Sequence, residues 1–307
     1  MNEQSLPKYV LITPARNEEA FIEKTLESVI HQTHLPLKWV IINDGSTDST
    51  ANRVEPYLAK YDWIALVNLP VRRERNFAAK VNAFNKGQEL MKGLDYEITG
   101  NLDSDVSLDP DHFEFLMNRF RDDPRLGVAG TVFREQGGYN SGTDSLEGQF
   151  YVSGQCQMFR RECFKEIGGY FANKAGGIDW IAVTTARMIG WNTRSFREKS
   201  FFHHRHLGTA ERSAFAASFS YGEKDYYLGG HPVWELFRVA FRTFKAPHFE
   251  GLALGLGYGW AAVRRQKRPI SKELMTFHRR EQMRKLKAIL KFAIAFKPSD
   301  KFELLSE

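Results

Sequence analysis

The first hundred residues alternate between short apolar runs and longer segments with helical periodicity. Residues 8–14 form an apolar run that ends at a proline, and similar runs follow at 39–42 and 64–67. Ile22 and Leu26 begin a series of apolar positions three and four residues apart, which predicts an amphipathic helix. Strands that alternate with helices are typical of βαβ units. We therefore predict an α/β fold built on a mainly parallel, Rossmann-like sheet that is flanked by helices.

Polar clusters follow three of the predicted strands, at residues 15–18, 43–45 and 103–105. Each cluster taken alone is also what a simple turn requires. In sheets of this kind, however, ligands bind outside the carboxyl ends of the strands. Three clusters in succession at such ends favour a binding site over three separate turns.

The pattern changes after residue 230, where we place a boundary between a domain of residues 1–230 and a C-terminal segment of residues 231–307. Residues 233–245 predict an amphipathic helix with an apolar, aromatic face opposite a mainly basic one. The glycine-rich apolar stretch 251–263 is shorter than the ~20 residues that a membrane-spanning helix needs. The apolar face comprises Val233, Trp234, Leu236, Phe237, Ala240, Phe241 and Phe244, and the opposite face Glu235, Arg238, Arg242 and Lys245.

Charge distinguishes the two parts of the chain. The net charge is +6, but residues 231–307 hold 16 Lys and Arg against 7 Asp and Glu, whereas residues 1–230 hold 27 against 30. A basic, amphipathic segment indicates peripheral contact with an anionic membrane surface, and a buried pair of core helices explains the apolar pattern equally well. The segment contains no recognised nucleic-acid module, so we expect no nucleic-acid partner.

The start of the chain and its cysteines bear on location. The first five residues are polar and no long apolar core follows them, so we expect no secretory signal. Cys156 and Cys163 are too few for a disulfide framework and match no common zinc spacing, which favours reduced thiols. We therefore expect a cytoplasmic protein, peripheral on the cytoplasmic face of the cell membrane.

Asp103-Ser104-Asp105 follows the apolar run that ends at Leu102. Side chains two positions apart on an extended segment point the same way, so the two carboxylates would share one side. Mg²⁺ and Mn²⁺ bind in proteins through one or two carboxylates together with substrate phosphates. The pair therefore predicts a site for a metal-bound phosphate ester, although two nearby acids alone are weak support.

Four motifs in order resemble family-2 glycosyltransferases of the GT-A fold over roughly residues 8–208. They are Pro14-Ala15-Arg16-Asn17-Glu18-Glu19, Asn43-Asp44-Gly45-Ser46-Thr47-Asp48, Lys80-Val81-Asn82-Ala83-Phe84-Asn85-Lys86-Gly87 and Asp103-Ser104-Asp105. One departure is Asn43, where the family often has an Asp. The resemblance implies the GT-A fold, a nucleotide-sugar donor (UDP-, GDP- or dTDP-sugar) and Mn²⁺ or Mg²⁺.

The resemblance also implies roles for individual residues. Asp44 would bind the base or ribose, Lys80 would approach the diphosphate or ribose, and Asp105 would bind the metal directly. Asp103 would contact the ribose or the metal. The predicted donor-binding residues are Pro14, Ala15, Asn17, Glu18, Asp44, Lys80, Asp103, Ser104, Gly154 and Arg205, and the predicted metal ligands are Asp103, Asp105 and His203.

The resemblance places the catalytic base at Asp179, in the frame Gly177-Ile178-Asp179-Trp180 with Gly190-Trp191 downstream. The family has an acidic residue where this chain has Ile178. Inverting transfer needs such a carboxylate to take the proton of the acceptor hydroxyl. The alternative is that Asp179 only caps the following helix. The nearby Gly154 would let the backbone lie close to the transferred sugar.

Three histidines, His203, His204 and His206, lie within four positions. By the same resemblance one of them would be a further metal ligand, with His203 in the frame His203-x-Arg205 the first choice and His204 the second. Arg205 would act as a guanidinium clamp on the diphosphate.

Together these features predict a metal-dependent inverting glycosyltransferase that acts on a saccharide or lipid-linked acceptor in cell-envelope polysaccharide or glycolipid synthesis. Three alternatives are a processive polysaccharide synthase, a sugar nucleotidyltransferase and a catalytically impaired membrane-associated scaffold. The chain lacks the Q-x-x-R-W motif of the first, and it lacks a glycine-rich phosphate loop after its first strand, which the second would carry. Ile178 is the feature that favours the third.

Overall fold

The computed structural model describes residues 5–71, 77–145, 147–173, 176–205, 213–244 and 249–294. The chain divides into two compact units, residues 1–205 and 206–307. The boundary that we predicted at residue 230 falls inside the second unit.

The first unit contains eight strands and seven helices among its described residues. The strands are β1 (Tyr9–Ala15), β2 (Lys38–Asn43), β3 (Ile64–Asn68), β4 (Ile98–Leu102), β5 (Val106–Leu108), β6 (Leu126–Glu135), β7 (Cys156–Arg160) and β8 (Asn192–His203). The helices are α1 (Ile22–Ile30), α2 (Thr50–Leu58), α3 (Phe77–Glu89), α4 (His112–Asp122), α5 (Ser141–Asp144), α6 (Arg161–Glu166) and α7 (Ile178–Met188).

The strands form one sheet in the order β3-β2-β1-β4-β7-β6-β8-β5. Strands β1 to β4 are parallel, and β7 is antiparallel to both β4 and β6. The carboxyl ends of β1, β2 and β4 therefore lie at one edge, where the three polar clusters were predicted to meet. The predicted α/β class with a mainly parallel, helix-flanked sheet is confirmed.

Both faces of the sheet are buried, because side chains alternate between two apolar clusters along each central strand. Tyr9 and Leu11 of β1 belong to one cluster, and Val10 and Ile12 belong to the other. All four side chains are fully buried. A strand covered on both faces has no polar side, which explains why these segments read as continuous apolar runs.

The far end of the sheet brings two distant segments together. β5 pairs with the end of β8 in antiparallel fashion, with Val106 opposite His203. β6 runs parallel to β8 and also ends opposite His203, at Glu135. Strand pairing therefore sets His203 beside the residue that precedes β5, which is Asp105.

The described part of the second unit is helical, with α8 (Ala214–Tyr227), α9 (Pro232–Thr243), α10 (Phe249–Val263) and α11 (Lys272–Ile294). α8 and α10 are in very close contact at glycines. A Cβ on Gly222 would lie 2.0 Å from the carbonyl oxygen of Leu254, and one on Gly257 would lie 1.9 Å from that of Phe219. None of the helices in the described ranges is long and apolar enough to cross a membrane.

Candidate active site

The loops that follow β1 and β2 are tied to each other. The Asp44 amide donates to the carbonyl of Ala15 at 2.8 Å, and the Asn17 amide donates to Oγ of Ser46 at 3.0 Å. The Thr47 amide in turn donates to Oδ1 of Asn17 at 2.9 Å. Asn17 has a φ of 54°, a left-handed conformation that asparagine adopts more readily than most residues. The two loops thus form one wall at the carboxyl edge of the sheet.

The predicted base-pocket residues lie on this wall. Pro14 and Ala15 are the last two residues of β1 and pair with Ile42 and Asn43 of β2. Asp44 is buried, with 7% of its surface exposed.

Asn43 has a local structural role at the position where the family often has an Asp. Its Nδ2 donates to Oδ1 of Asn68 at the end of β3, at 2.8 Å. Its Oδ1 accepts from the Ser46 amide at 3.1 Å. The Asn43 side chain therefore fixes the loop that carries Asp44.

Lys80 of α3 and Asp103 form a short ion pair, with 2.5 Å between Nζ and Oδ1. Burial by itself would lower the pKa of Lys80, but the charge and hydrogen bond of Asp103, helped by Asp179 and Asp105, raise it. Burial raises the pKa of Asp103, against the effect of Lys80. The position of Asp103 is also fixed by its amide, which donates to the carbonyl of Gln155 at 2.7 Å.

Asp105 faces His203, with 3.4 Å between Oδ2 and Nε2. The other ring nitrogen, Nδ1, lies 2.9 Å from Oε1 of Glu135. Burial would raise the pKa of Asp105, but the hydrogen bond and charge of His203, together with Arg205, lower it. Burial by itself would lower the pKa of His203. The carboxylates of Asp105 and Glu135 have the stronger effect, so the pKa of His203 is raised. Ser104, between the two aspartates, is buried.

His204 points elsewhere. Its Nε2 lies 2.7 Å from Oγ of Ser107, and its ring stacks on Phe21 at 5.8 Å between centroids. Burial lowers the pKa of His204. Of the two described histidines, His203 is thus the one whose ring faces Asp105; His206 lies outside the described residues.

Arg205 links the first loop to the acidic pair. Its Nη2 lies 2.6 Å from Oε2 of Glu18, and its Nε lies 3.5 Å from Oδ2 of Asp105. The predicted guanidinium clamp is therefore held by two carboxylates at the same edge of the sheet as Lys80.

Asp179 lies in the first turn of α7 and does not cap it. The N-cap is Gly177, at a φ of 77°. Oδ2 of Asp179 instead accepts a hydrogen bond of 2.5 Å from the hydroxyl of Tyr151. Burial and the Asp179 charge raise the pKa of Tyr151 far above its usual value, so the phenol keeps its proton and donates.

The close contact between position 154 and Asp179 requires a glycine, which the sequence alone does not reveal. A Cβ at this position would lie 2.8 Å from Cβ of Asp179 and 3.2 Å from its Oδ2. The carbonyl of Gly154 also accepts from Nδ2 of Asn101 at 2.6 Å. The glycine thus permits the approach of Asp179 to the strand end that carries Asp103.

Ile178, which stands in place of the acidic residue, turns into the core. Only 8% of its surface is exposed, and it packs in the apolar cluster that contains Val10 and Ile12. The downstream Trp191 donates from Nε1 to Oε2 of Glu166 at 2.7 Å. These two positions contribute to packing.

In the described ranges, no group of three or more His, Cys, Asp or Glu side chains is arranged to hold a metal ion by itself. Asp105 and His203 form a pair, and Asp103 is engaged by Lys80. The protein thus places a carboxylate and an imidazole side by side, and the second carboxylate of the Asp103–Asp105 pair is held by Lys80.

The family model described as "Glycosyl transferase family 2" matches residues 10–170, more than half of the 307-residue chain. The chain belongs to glycosyl transferase family 2. The matched residues include the two tied loops, Lys80, the Asp103–Asp105 pair, Tyr151 and Gly154, while Asp179 and His203 lie beyond them.

Curated relatives of the chain are poly-beta-1,6-N-acetyl-D-glucosamine synthases. The protein of that name from Staphylococcus epidermidis is 33% identical over 112 residues, which are 36% of this chain and 25% of the relative. The one from Staphylococcus aureus strain COL is 32% identical over 128 residues, which are 42% of this chain and 29% of the relative. The similarity thus spans only a quarter to a third of these relatives.

Solved glycosyltransferases share the fold. The mannosyltransferase PcManGT from Pyrobaculum calidifontis, in complex with GDP-Man and Mn²⁺, aligns with a TM-score of 0.54 and 18% identity over 99% of this chain and 79% of its own. S. aureus TarS 1-349, in complex with UDP-GlcNAc, aligns with a TM-score of 0.54 and 16% identity over 97% of this chain and 89% of its own. The predicted GT-A fold is confirmed.

Two side chains of the candidate site were not singled out in the sequence analysis. Tyr151 lies three residues before Gly154 but had no signal of its own, and Glu135 carried no signal at all. The hydrogen bond of Tyr151 to Asp179 spans 28 positions, and the contact of Glu135 with His203 spans 68. Contacts over separations of this length are set by tertiary packing for the first pair and by strand pairing for the second, and single-sequence periodicity reports neither.

Proposed function

We propose that the chain is a metal-dependent inverting glycosyltransferase that moves one sugar from a nucleotide-sugar donor to a saccharide or lipid-linked acceptor. The observation that carries the proposal is the meeting of Asp179 with the Lys80–Asp103 pair and Asp105 at one edge of the sheet. The charges of all three carboxylates raise the pKa of Lys80, which supports their assignment to one site. Family membership supplies the reaction class.

The wall formed by the loops after β1 and β2 suits the nucleotide. A carboxylate accepts the ring N–H of uracil, guanine or thymine, and Asp44 is the carboxylate on this wall. Pro14, Ala15, Asn17 and Glu18 would line the rest of the base pocket. Two structural neighbours hold GDP-Man and UDP-GlcNAc, and both nucleotides are compatible with such a wall.

The donor set fits Mn²⁺ or Mg²⁺. Asp105 supplies a carboxylate and His203 an imidazole, ligand types that Mn²⁺ accepts. Such ions bind through one or two protein ligands with substrate phosphates completing the shell, so a third protein ligand is not required. When bound, the ion would neutralise the diphosphate leaving group. Glu135 would fix the orientation of the His203 ring, the usual role of a carboxylate behind a metal-binding histidine.

Lys80 and Arg205 would approach the diphosphate as cations. Each is already paired with a carboxylate, Lys80 with Asp103 and Arg205 with Glu18. These pairs hold the two cations in place before the donor arrives. Asp103 would contact the ribose or the ion, and Ser104 would contribute from its buried position between the two aspartates.

Asp179 would act as the general base. Its carboxylate would take the proton of the acceptor hydroxyl as the oxygen attacks the anomeric carbon from the face opposite the nucleotide. The Tyr151 hydroxyl holds one oxygen of that carboxylate, which leaves the other to meet the acceptor. Gly154 keeps this carboxylate close to the donor side of the site.

We further propose that the enzyme works at the cytoplasmic face of the cell membrane, in envelope polysaccharide or glycolipid synthesis. The polysaccharide synthases among its relatives support the pathway class. The net positive charge of residues 231–307 supports contact with anionic headgroups. A lipid-linked acceptor would be presented at such a surface.

The second candidate is a scaffold of the same fold that has lost activity. Ile178 favours it, because an acidic residue is expected there. The Tyr151–Asp179 contact opposes it, since a scaffold would not need an oriented carboxylate.

A ligand screen followed by a transfer assay separates the two candidates. Thermal shifts with UDP-, GDP- and dTDP-sugars, each with and without Mn²⁺, would identify the donor. Nucleotide release with that donor should then require Mn²⁺ and should be lost in Asp105→Ala and Asp179→Asn. Binding of a donor without release under any condition would favour the scaffold, and transfer at the normal rate by Asp179→Asn would remove it as the base.

A further inference from the structure

The second unit exposes a row of large apolar side chains on α10. Leu252 is 58% exposed, Leu256 50% and Val263 79%, while Phe249 and Trp260 are each 45% exposed. These positions recur at intervals of three and four residues, so they lie on one side of the helix. The other side of α10 is occupied by its close contacts with α8 at Gly257 and Leu254.

α9 carries a matching exposed row. Val233 is 49% exposed, Leu236 70%, and the C-cap residue Phe244 87%. On the opposite side of the helix, Glu235 and Arg238 are buried. Trp234, which we had assigned to the apolar face, is also buried. The apolar side of α9 is therefore the exposed one.

The two rows lie on the same side of the helix pair. Gly251 of α10 packs against Thr243 and Val239 of α9, and Gly255 packs against Val239, so the two helices run antiparallel. At ~100° per residue, the exposed row of each helix is rotated by roughly 90–120° from this line of contact between the helices, in the same sense on both. In an antiparallel pair, equal rotations bring both rows to one side. We call the eight side chains the α9–α10 face: Val233, Leu236, Phe244, Phe249, Leu252, Leu256, Trp260 and Val263.

Positive charge borders this face at the end of α10. The guanidinium of Arg264 lies 4.4 Å from the centre of the Trp260 ring. Arg265 and Lys267, which follow, are exposed. The carboxylates of the two helices are Glu250, in the first turn of α10, and Glu235, which is buried. The face is thus apolar with a cationic border, which is complementary to a negatively charged lipid surface.

We propose that the α9–α10 face is the surface by which this protein lies on an anionic bilayer. α10 has 15 residues, about 22 Å of helix, which is less than the ~30 Å hydrocarbon thickness. The pair therefore lies in the plane of the interface, with its apolar side chains among the headgroups and upper acyl chains. Trp260 and Arg264 form the kind of aromatic and cationic pair that occupies this depth. The proposal concerns the second unit alone and does not depend on sugar transfer.

The test is co-sedimentation of the full chain with vesicles of phosphatidylcholine, either pure or with about a third phosphatidylglycerol. The wild-type chain should bind the anionic vesicles, and binding should weaken as salt screens the cationic border. Leu252→Glu with Leu256→Glu should lower the partition coefficient more than tenfold, because each half-exposed leucine contributes about fivefold by burial in the interface.

A matched control uses two leucines of the first unit. Leu35 and Leu37 are 45% and 41% exposed, so Leu35→Glu with Leu37→Glu changes charge and apolar area to a similar extent. This control should bind vesicles like the wild type, and circular dichroism should show that both double variants are folded. Thermal shift by donor should be the same in both, which keeps this test separate from that of the transferase activity.

Two results would overturn the proposal. One is equal binding of anionic vesicles by the Leu252/Leu256 variant and the wild type. The other is a wild-type chain that does not bind vesicles, in particular one that forms dimers in light scattering which the same variant abolishes. The second result would assign the α9–α10 face to contact between two copies of the chain.

Discussion

Tyr151→Phe removes a single hydroxyl, the one that donates to Oδ2 of Asp179 at 2.5 Å. The ring itself stays, so the change is confined to the orientation of the carboxylate. The backbone of Asp179 is held in α7, so the variant frees rotation of the carboxylate without displacing its stem. If Asp179 is the base, the variant should therefore lower kcat and leave donor binding unchanged.

The size of the effect follows from the strength of this bond. A hydrogen bond to a charged group contributes about 1.5–3 kcal/mol. At 1.4 kcal/mol for each factor of ten, this energy corresponds to a loss of kcat between ~10- and ~150-fold. Part of the bond energy stabilises the carboxylate before it takes the proton, so we expect a loss near the lower limit, about tenfold. Asp179→Asn should cost more, ~10²- to 10⁴-fold, because the base itself is gone.

A double-mutant cycle distinguishes positioning from a general structural effect. The assay is nucleotide release in the presence of acceptor for wild type, Tyr151→Phe, Asp179→Asn and the double variant, with the donor Kd from thermal shifts. If Tyr151 acts through Asp179, its removal should have no further effect once Asp179 has been replaced. This reasoning would be refuted if Tyr151→Phe lowered the rate by the same factor in the wild type and in Asp179→Asn. An unchanged kcat in Tyr151→Phe would refute it as well.

Three other outcomes follow from the structure. Glu135→Gln should weaken Mn²⁺ binding about 10- to 100-fold in a metal titration, because the ring of His203 loses the carboxylate that orients it. Gly257→Ala should lower the free energy of unfolding by about 1–3 kcal/mol or more, since its Cβ would overlap a backbone carbonyl of α8, whereas Gly259→Ala, in open space on the same helix, should raise it by ~0.5–1 kcal/mol. Burial raises the pKa of Glu235 to about 8, against the effect of nearby arginine. Folding therefore takes up a proton, and stability should fall as pH rises from about 4.5 to 8, by at most ~1.4 kcal/mol per unit, a decline that Glu235→Gln should reduce.

Each of these outcomes has a result that contradicts it. Unchanged Mn²⁺ affinity in Glu135→Gln would show that Glu135 does not contribute to metal binding. Equal melting of the Gly257 and Gly259 variants would contradict the close approach of α8 and α10. A pH profile of melting with the same slope in Glu235→Gln and wild type would show that another group carries the dependence.

The sheet and its polar edge could be predicted because their signals are local. The apolar runs at residues 8–14 and 39–42 became β1 and β2 within a residue of their predicted bounds, and the run predicted to end at Leu102 became β4. Parallel strands bring their carboxyl ends to one edge, so the order of the motifs predicted that Asp44 and Asp103 would lie at the same edge. No partner needed to be known for either step.

Contacts between distant segments could not be predicted in this way. Whether His203 or His204 faces Asp105 depends on the register of β5 against β8, and a shift of one residue would exchange the two. The burial of Glu235 and Arg238 likewise depends on which side of α9 meets its neighbours. An amphipathic pattern defines two faces but does not say which one is covered.

By itself the sequence determined the α/β class, the family and the set of charged residues that gather at the edge of the sheet. These follow from strand periodicity and from motifs whose order survives any change in the loops. Only the tertiary structure decided that Tyr151 holds Asp179, that Glu135 stands behind His203 and that α9 exposes its apolar side. The reason is that each of these features depends on contacts between residues far apart in the chain, and such contacts are set by packing and strand register.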